Sequence, residues 1–230
     1  MTLTFSHCAW SSQGQRSEQN DRLLQAPFAG GLLVAVMDGV GKHQHAGVAA
    51  EAVRRALDEY IAQNVSVSRE TPVSALYQAS ARAISGLVDT LGSTTCTALL
   101  LLEDGRVAVG HAGDCMAVRC RAGELSVLTL LDQSEEGHCT QALQRENPGR
   151  RAASGWRAWM DTPAEPGDVY LLATDGCWQG VGQEELKDRL MAAPEPWERA
   201  AEDLVRAALA AGSTDNSTAV LVRVSLIQGG

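Results

Sequence analysis

The stretch VAVMDGVGKHQHAG, Val34 to Gly47, decides how the rest of the chain is read. The run LLVAVM that leads into it, residues 32–37, is short, continuous and apolar, which predicts a strand buried on both faces. It stops abruptly at Asp38-Gly39. Asp-Gly is a common turn pair, so a plain turn explains it if it occurs once. It occurs again where the apolar run at residues 169–174 meets Asp175-Gly176. Asp215-Asn216 stands just before another such run, at residues 217–225, and Asp114 lies in a Gly-Asp turn between two more. Each of these, taken alone, reads as a turn or a cap, and so does Asp21 in QND. Together they predict carboxylates on one rim of a sheet core. Carboxylates brought that close repel each other and raise one another's pKa, and cations relieve the repulsion. Hard oxygen ligands without accompanying His or Cys favour Mg²⁺ or Mn²⁺ over Zn²⁺.

Outward from this stretch the periodicity changes. Residues 46–63 carry Val48, Ala52, Ala56 and Tyr60 at helical spacing, flanked by Val53, Leu57 and Ile61, with Glu51, Arg54, Arg55 and Asp58 opposite. This is an amphipathic helix. Residues 72–91 repeat the pattern with Leu76, Ala83, Leu87 and Leu91, and Pro72 suits a helix start. The runs at 94–102, 106–110, 115–120 and 125–130 are apolar or β-branched and separated by turn signals, which predicts an antiparallel meander. Residues 133–166 read mostly as loop, with Trp156 and Trp159 more in keeping with core packing than with a partner-binding spot. A strand at 169–174, helices at 183–191 and 197–211 and a last strand at 217–225 complete the pattern. The fold class is α+β: sheets packed on each other with helices outside.

Composition narrows the function. The chain has 230 residues, 45% hydrophobic and 20% charged, enough for one substantial ordered domain. A net charge of −9 argues against nucleic-acid or anionic-membrane partners, which want a basic face. The opening residues show no basic lead and apolar core of a signal peptide, and no apolar run reaches the roughly 20 residues of a bilayer span. The six cysteines form no CxxC pair, which predicts reduced thiols in a cytoplasmic protein and no cysteine-bound zinc.

The order of the motifs resembles the metal-dependent serine/threonine protein phosphatases of the type 2C class, the PPM family, in their short bacterial form. RSEQND (Arg16 to Asp21) opens the series and VAVMDGVGKHQHAGVAAEAV follows. LGSTTCTALLL, VGHAGDCMAV, LTLLDQS, PGDVYLLATDGCW and STDNSTAVLV come next, nearly end to end. Any one is weak; together and in sequence they are specific.

The resemblance implies a single phosphatase domain over residues 1–230. It implies a β-sandwich of two antiparallel sheets flanked by pairs of α-helices, a four-layer αββα arrangement with a reduced flap. It implies a site with two Mg²⁺ or Mn²⁺ ions. Asp38 would bridge them, Gly39 would offer its carbonyl, and Asp175 and Asp215 would complete the set. Asp114 would help hold a third ion, and Arg16 would bind the substrate phosphate. Asn20 stands where the family has Glu or Gln, so Asp21 or water would substitute. His43 or His45 would contact substrate as general acid, or else serve as polar loop residues. The implied reaction is hydrolysis of phosphoserine or phosphothreonine on proteins, reversing a Ser/Thr kinase, by a monomer. A pseudophosphatase that binds phosphoproteins is the alternative, recommended by Asn20 and the reduced flap. Cys177, beside Asp175-Gly176, reads as a buried structural thiol and His111 as a packed histidine.

Overall fold

The computed structural model describes residues 2–40, 46–63, 72–86, 92–144, 155–192 and 195–227. Strand β3 (Gly31–Met37) shows how one short run serves two cores, because successive side chains point to opposite faces. Leu32, Val34 and Val36 join a core with Tyr170, Leu172, Val220 and Val222. Leu33, Ala35 and Met37 join a second core with Val53, Leu57, Tyr60 and Leu76. A third core packs Val118, Leu171 and Leu221 against Leu186, Leu204 and Val205. Three parallel cores require four layers, helix–sheet–sheet–helix. Both sheets are covered on both faces, which is why strands such as β3 read as unbroken apolar runs rather than alternating ones.

The first sheet has the order β11 (Arg157–Met160), β7 (Val107–Ala112), β6 (Cys96–Leu102), β3 and β2 (Arg22–Phe28). Helices α1 (Ala46–Gln63) and α2 (Pro72–Gly86) cover it. The second sheet has the order β1 (Leu3–Ser12), β13 (Ser217–Leu226), β12 (Val169–Ala173), β8 (Met116–Arg121) and β9 (Glu124–Val127). Helices α3 (Asp175–Val181), α4 (Gln183–Met191) and α5 (Ala200–Ala210) cover that one. All pairings within the two sheets are antiparallel. Three short strands, β10 (Leu143–Gln144), β5 (Ser93–Thr94) and β4 (Gly39–Val40), form a small third sheet. The expected α+β sandwich of two antiparallel sheets with helices outside is the observed fold.

Three local expectations need correction. The runs between residues 94 and 130 are not one meander. β6 pairs with β7 and β8 with β9, but β7 and β8 lie in different sheets, so the turn at Gly113-Asp114 carries the chain across the sandwich. Periodicity cannot distinguish a hairpin from such a crossover. Helix α1 buries Ala49, Ala50, Val53, Leu57 and Ile61 and leaves Val48 51% exposed. The small alanines let the helix lie close to the sheet, and this decides its rotation. Residues 133–166 contain strand β11, paired with β7. Trp156 is buried in the helix-side core and Trp159 packs against the core between the sheets, as the core-packing reading expects. Leu87 and Leu91, assigned to the second helix, lie outside the described residues.

Candidate metal centre

The strand ends converge at one end of the sandwich. Asp38 follows β3, Asp114 sits in the β7–β8 crossover, Asp175 opens α3 directly after β12, and Asp215 precedes β13. All four line one cavity of about 200 Å³, together with Arg16, Asn20, Gly39 and Asn216. Asp21 lies close by, 3% exposed. The wall is completed by Gly137, His138 and Cys139 from a loop closed by a bridge between Gln133 and Cys139.

The backbone of Asp38 is pinned on both sides. Its N–H donates to Thr95 Oγ1 at 2.9 Å, and its carbonyl accepts from the Thr95 N–H at 2.8 Å and the Thr94 hydroxyl at 2.9 Å. The two threonines of the STT motif thus fix where β3 ends. At Gly39 a Cβ would stand 2.5 Å from the backbone of Ala46. The glycine is therefore required for α1 to close on the strand end, a packing reason independent of any ion. Gly176 plays the same part elsewhere, since a Cβ there would lie 2.1 Å from the carbonyl oxygen of Asn216. That close approach sets Asp175 beside Asp215. Asp175 Oδ1 accepts the N–H of Gly176 at 2.7 Å, and Asp215 Oδ1 accepts the N–H of Asn216 at 2.8 Å.

Asn216 laces the arginine loop onto the start of β13. Its amide donates to the carbonyls of Gln13 at 2.8 Å and Glu18 at 3.0 Å, and its Oδ1 accepts the Asn20 N–H at 2.8 Å. The loop thereby holds Arg16 over the cavity, where its guanidinium pairs with Asp215 Oδ2. Asp21 Oδ2 accepts the hydroxyls of Thr174 at 2.8 Å and Thr218 at 2.7 Å. Its other oxygen is buried with no hydrogen-bond partner, and so is Asp114 Oδ1. Buried acceptors left unpaired cost free energy, and a bound cation would satisfy them.

Burial is the largest cause of each pKa shift here. It raises Asp38 well above the usual carboxylate range, with Asp21, Asp175, Asp114 and Asp215 adding repulsion. It lifts Asp21 to about 7 against the two threonine hydroxyls, with Asp175 and Asp215 pushing further. It lifts Asp175 to about 6, helped by Asp114 and Asp215 and opposed by the Gly176 N–H and Arg16. Asp114 is also raised by burial. Such a group of oxygens suits a hard divalent ion. The Cys139 thiol is pushed to about 12, first by burial and then by Asp114, so it offers no thiolate. Among the described residues no three carboxylate, imidazole or thiol groups already converge into a closed ligand shell; the aspartates line a cavity. The residues present fit Mg²⁺ or Mn²⁺ by donor type and by the unpaired oxygens.

Every sequence-predicted residue that is described falls at this place: Arg16, Asn20, Asp38, Gly39, Asp114, Asp175 and Asp215 on the cavity and Asp21 beside it. His43 and His45 lie outside the described residues. Sequence reasoning missed the threonines, the lacing role of Asn216, and His138. The threonines and Asn216 stood inside the quoted motifs, but the threonines act on aspartates distant in sequence, and nothing in the sequence marked His138. Cys177 is buried with its thiol pushed to about 12 by burial. His111 is fully buried, its ring nitrogens 2.9 Å from Thr97 Oγ1 and 2.9 Å from the Leu130 carbonyl.

Fold and site together define a metal-dependent phosphatase scaffold. Residues 12–214 match the protein phosphatase 2C family, and the chain belongs to that family, whose members use Mg²⁺ or Mn²⁺. It is 29% identical over 240 residues to the serine/threonine protein phosphatase PstP of Mycobacterium tuberculosis (strain H37Rv), covering 97% of this chain and 46% of that protein. The chain spans about half the length of the curated relatives it matches. Among solved structures, the catalytic domain of PstP in complex with two manganese ions superposes with a TM-score of 0.81. That pair is 26% identical and covers 98% of this chain and 100% of the other. The PPM Ser-Thr phosphatase MsPP from Mycobacterium smegmatis, in complex with cacodylate, gives a TM-score of 0.72 at 25% identity over 95% and 97%.

Proposed function

We propose that this chain is a single-domain, Mg²⁺- or Mn²⁺-dependent phosphatase that hydrolyses phosphoserine and phosphothreonine in proteins. The observation that carries the reading is the cavity itself: Asp38, Asp114, Asp175 and Asp215 around one space, with Arg16 on its wall and paired to Asp215. Asp38, Asp175 and Asp215 would hold two ions with the Gly39 carbonyl, and Asp114 a third, with Asn20 and Asp21 in support. The bound ions would supply a water acidified enough to act as nucleophile near neutral pH. The chain's own contribution is positioning and charge. Arg16 is 55% exposed on a loop tied down by Asn216, so it has the freedom to exchange Asp215 for a phosphate. Its planar fork suits two parallel hydrogen bonds to phosphate oxygens. Thr94, Thr95, Thr174 and Thr218 keep the aspartates in place without adding charge.

The biological setting follows the same proposal: a cytoplasmic monomer acting on phosphoproteins and reversing a cognate Ser/Thr kinase. Asn20 favours a second reading, a pseudophosphatase that holds phosphoproteins, because it puts a short neutral amide on the cavity where the resemblance implies Glu or Gln. One assay separates them. Phosphate release from a phosphothreonine peptide is measured with Mn²⁺, with EDTA and in Asp175→Ala. Release that requires Mn²⁺ and disappears in the variant supports the enzyme. Tight peptide binding without release, by folded protein at any Mn²⁺ concentration, supports the second reading.

A further inference from the structure

Next to the metal cavity lies an apolar pocket of about 360 Å³ that the proposed chemistry does not use. Met116, Val127, Leu131, Trp178 and Leu186 line it, with Gln179 at its edge. It opens at the surface: Val127 is 45% and the neighbouring Leu130 is 72% exposed. A groove links the two by shared lining residues: Gln179 also lines a polar groove of about 390 Å³ that Asp175 and Asp215 of the metal cavity line as well. Trp178 stands between pocket and metal cavity, its indole N–H donating to the Asp114 carbonyl at 3.1 Å. Three hollows thus share walls in series, from carboxylates through a polar groove to an apolar end.

We propose that this pocket receives a large apolar side chain of the phosphoprotein substrate and so sets sequence preference. This deepens the phosphatase reading and rests on it. The spacing follows from the helix. Asp175 is the first residue of α3, and Gln179 and the C-cap Gly182, four and seven residues on, line the pocket, about 6 to 10 Å along the helix axis. An extended polypeptide advances about 3.3 Å per residue, so the apolar residue sits roughly three positions from the phosphorylated one.

The test uses the whole chain with Mn²⁺. Phosphothreonine peptides with all-alanine flanks carry one leucine, moved from four positions before to four positions after the phosphothreonine. Phosphate release gives kcat/KM, and fluorescence anisotropy of labelled peptides gives binding. p-Nitrophenyl phosphate, which has no flanks, reports the chemistry alone. The variants are Val127→Lys, at an exposed edge that tolerates charge, and Met116→Arg, with folding checked by circular dichroism. Leucine about three positions away on one side should improve kcat/KM and binding about tenfold, the scale of a large apolar group gaining a pocket. Both variants should erase that gain and leave p-nitrophenyl phosphate turnover unchanged. Equal kcat/KM and binding across the series, with p-nitrophenyl phosphate still turned over, would overturn the pocket and leave the phosphatase reading standing. A leucine preference that survives both variants would also overturn it. Leucine-dependent binding that the variants abolish, with no turnover of any substrate, would uphold the pocket and sink the phosphatase reading.

Discussion

Strand β12 carries an aspartate just beyond each end, and the two meet opposite treatment. Asp168, at one end, is 1% exposed and fully satisfied. It accepts Arg121 through Nε at 2.7 Å and Nη2 at 2.6 Å, the Glu165 N–H at 2.9 Å and the Tyr170 hydroxyl at 3.3 Å. Asp175, at the other end, neighbours carboxylates. Its pKa is lifted to about 6 by burial, with Asp114 and Asp215 pushing further, and Arg16 opposes this only as a lesser cause. A buried carboxylate for which the chain supplies its own cation is a structural part. A buried cluster whose only nearby cation among the described residues is a half-exposed arginine shared through Asp215 is prepared for a cation from outside.

The contrast predicts where each end fails. Asp175→Ala should remove metal-dependent phosphate release by about a thousandfold or more, since an ion contributes several kcal/mol to the transition state. The folded state should survive, as the substitution relieves repulsion. Calorimetric titration with Mn²⁺ alongside the rate measurement checks this; retained turnover with normal Mn²⁺ binding would remove Asp175 from the site. Arg121→Met should do the reverse. It strands Asp168 and should cost about 3 kcal/mol of stability in urea unfolding, with Mn²⁺ affinity unchanged. Adding Asp168→Leu should recover most of the loss. If Arg121→Met weakened Mn²⁺ binding instead, the two ends of β12 would not be independent.

Acidity sharpens the comparison further. Asp21 and Asp175 have folded pKa values near 7 and 6, above the ordinary carboxylate value of about 4. A raised folded pKa contributes stability that is complete below about pH 4 and is lost as the pH rises through 6 to 7. The metal-free protein should therefore melt at lower temperature at pH 8 than at pH 5. Mn²⁺ binds the ionised ligands, so its stabilising effect should grow over the same interval. Asp21→Asn should flatten the metal-free profile while keeping an acceptor for Thr174 and Thr218. Melting curves in EDTA and in Mn²⁺ decide the matter; a metal-free midpoint that rises from pH 5 to pH 8 would contradict the picture of repelling carboxylates.

Much of this was legible in the residues, and the reasons differ by feature. Strands β3 and β12 announced themselves because burial on both faces leaves no polar interruptions. The aspartates were legible because each ends or begins such a run. The crossing of the chain between sheets at Gly113-Asp114 was not, since a hairpin and a crossover share the same turn residues. β11 was hidden because its four residues are half-buried or exposed and sit in a polar stretch of sequence. The threonines escaped notice because their hydroxyls matter through partners far away in sequence: Thr174 and Thr218 meet on Asp21 from 153 and 197 residues distant. The packing reason for Gly39 was not legible, because Ala46, which its missing side chain makes room for, meets it only in the folded chain.

The smallest expected effect concerns Asn20, a neutral amide on the wall of the cavity. Asp has the shape of Asn, so Asn20→Asp changes charge and little else, and its backbone N–H bond to Asn216 is kept. One more carboxylate on the cavity should tighten Mn²⁺ binding severalfold, since each added charged ligand favours a hard cation. The same carboxylate should lower the melting temperature in EDTA at pH 8, because it adds to the repulsion that Asp38 already suffers. Opposite movements with and without metal are the signature of a group inside the cation site. A substitution that merely disturbs the loop would lower both. If Asn20→Asp leaves Mn²⁺ affinity where it was, Asn20 stands too far from the ions to matter, and Asp21 becomes the acid that serves in its place.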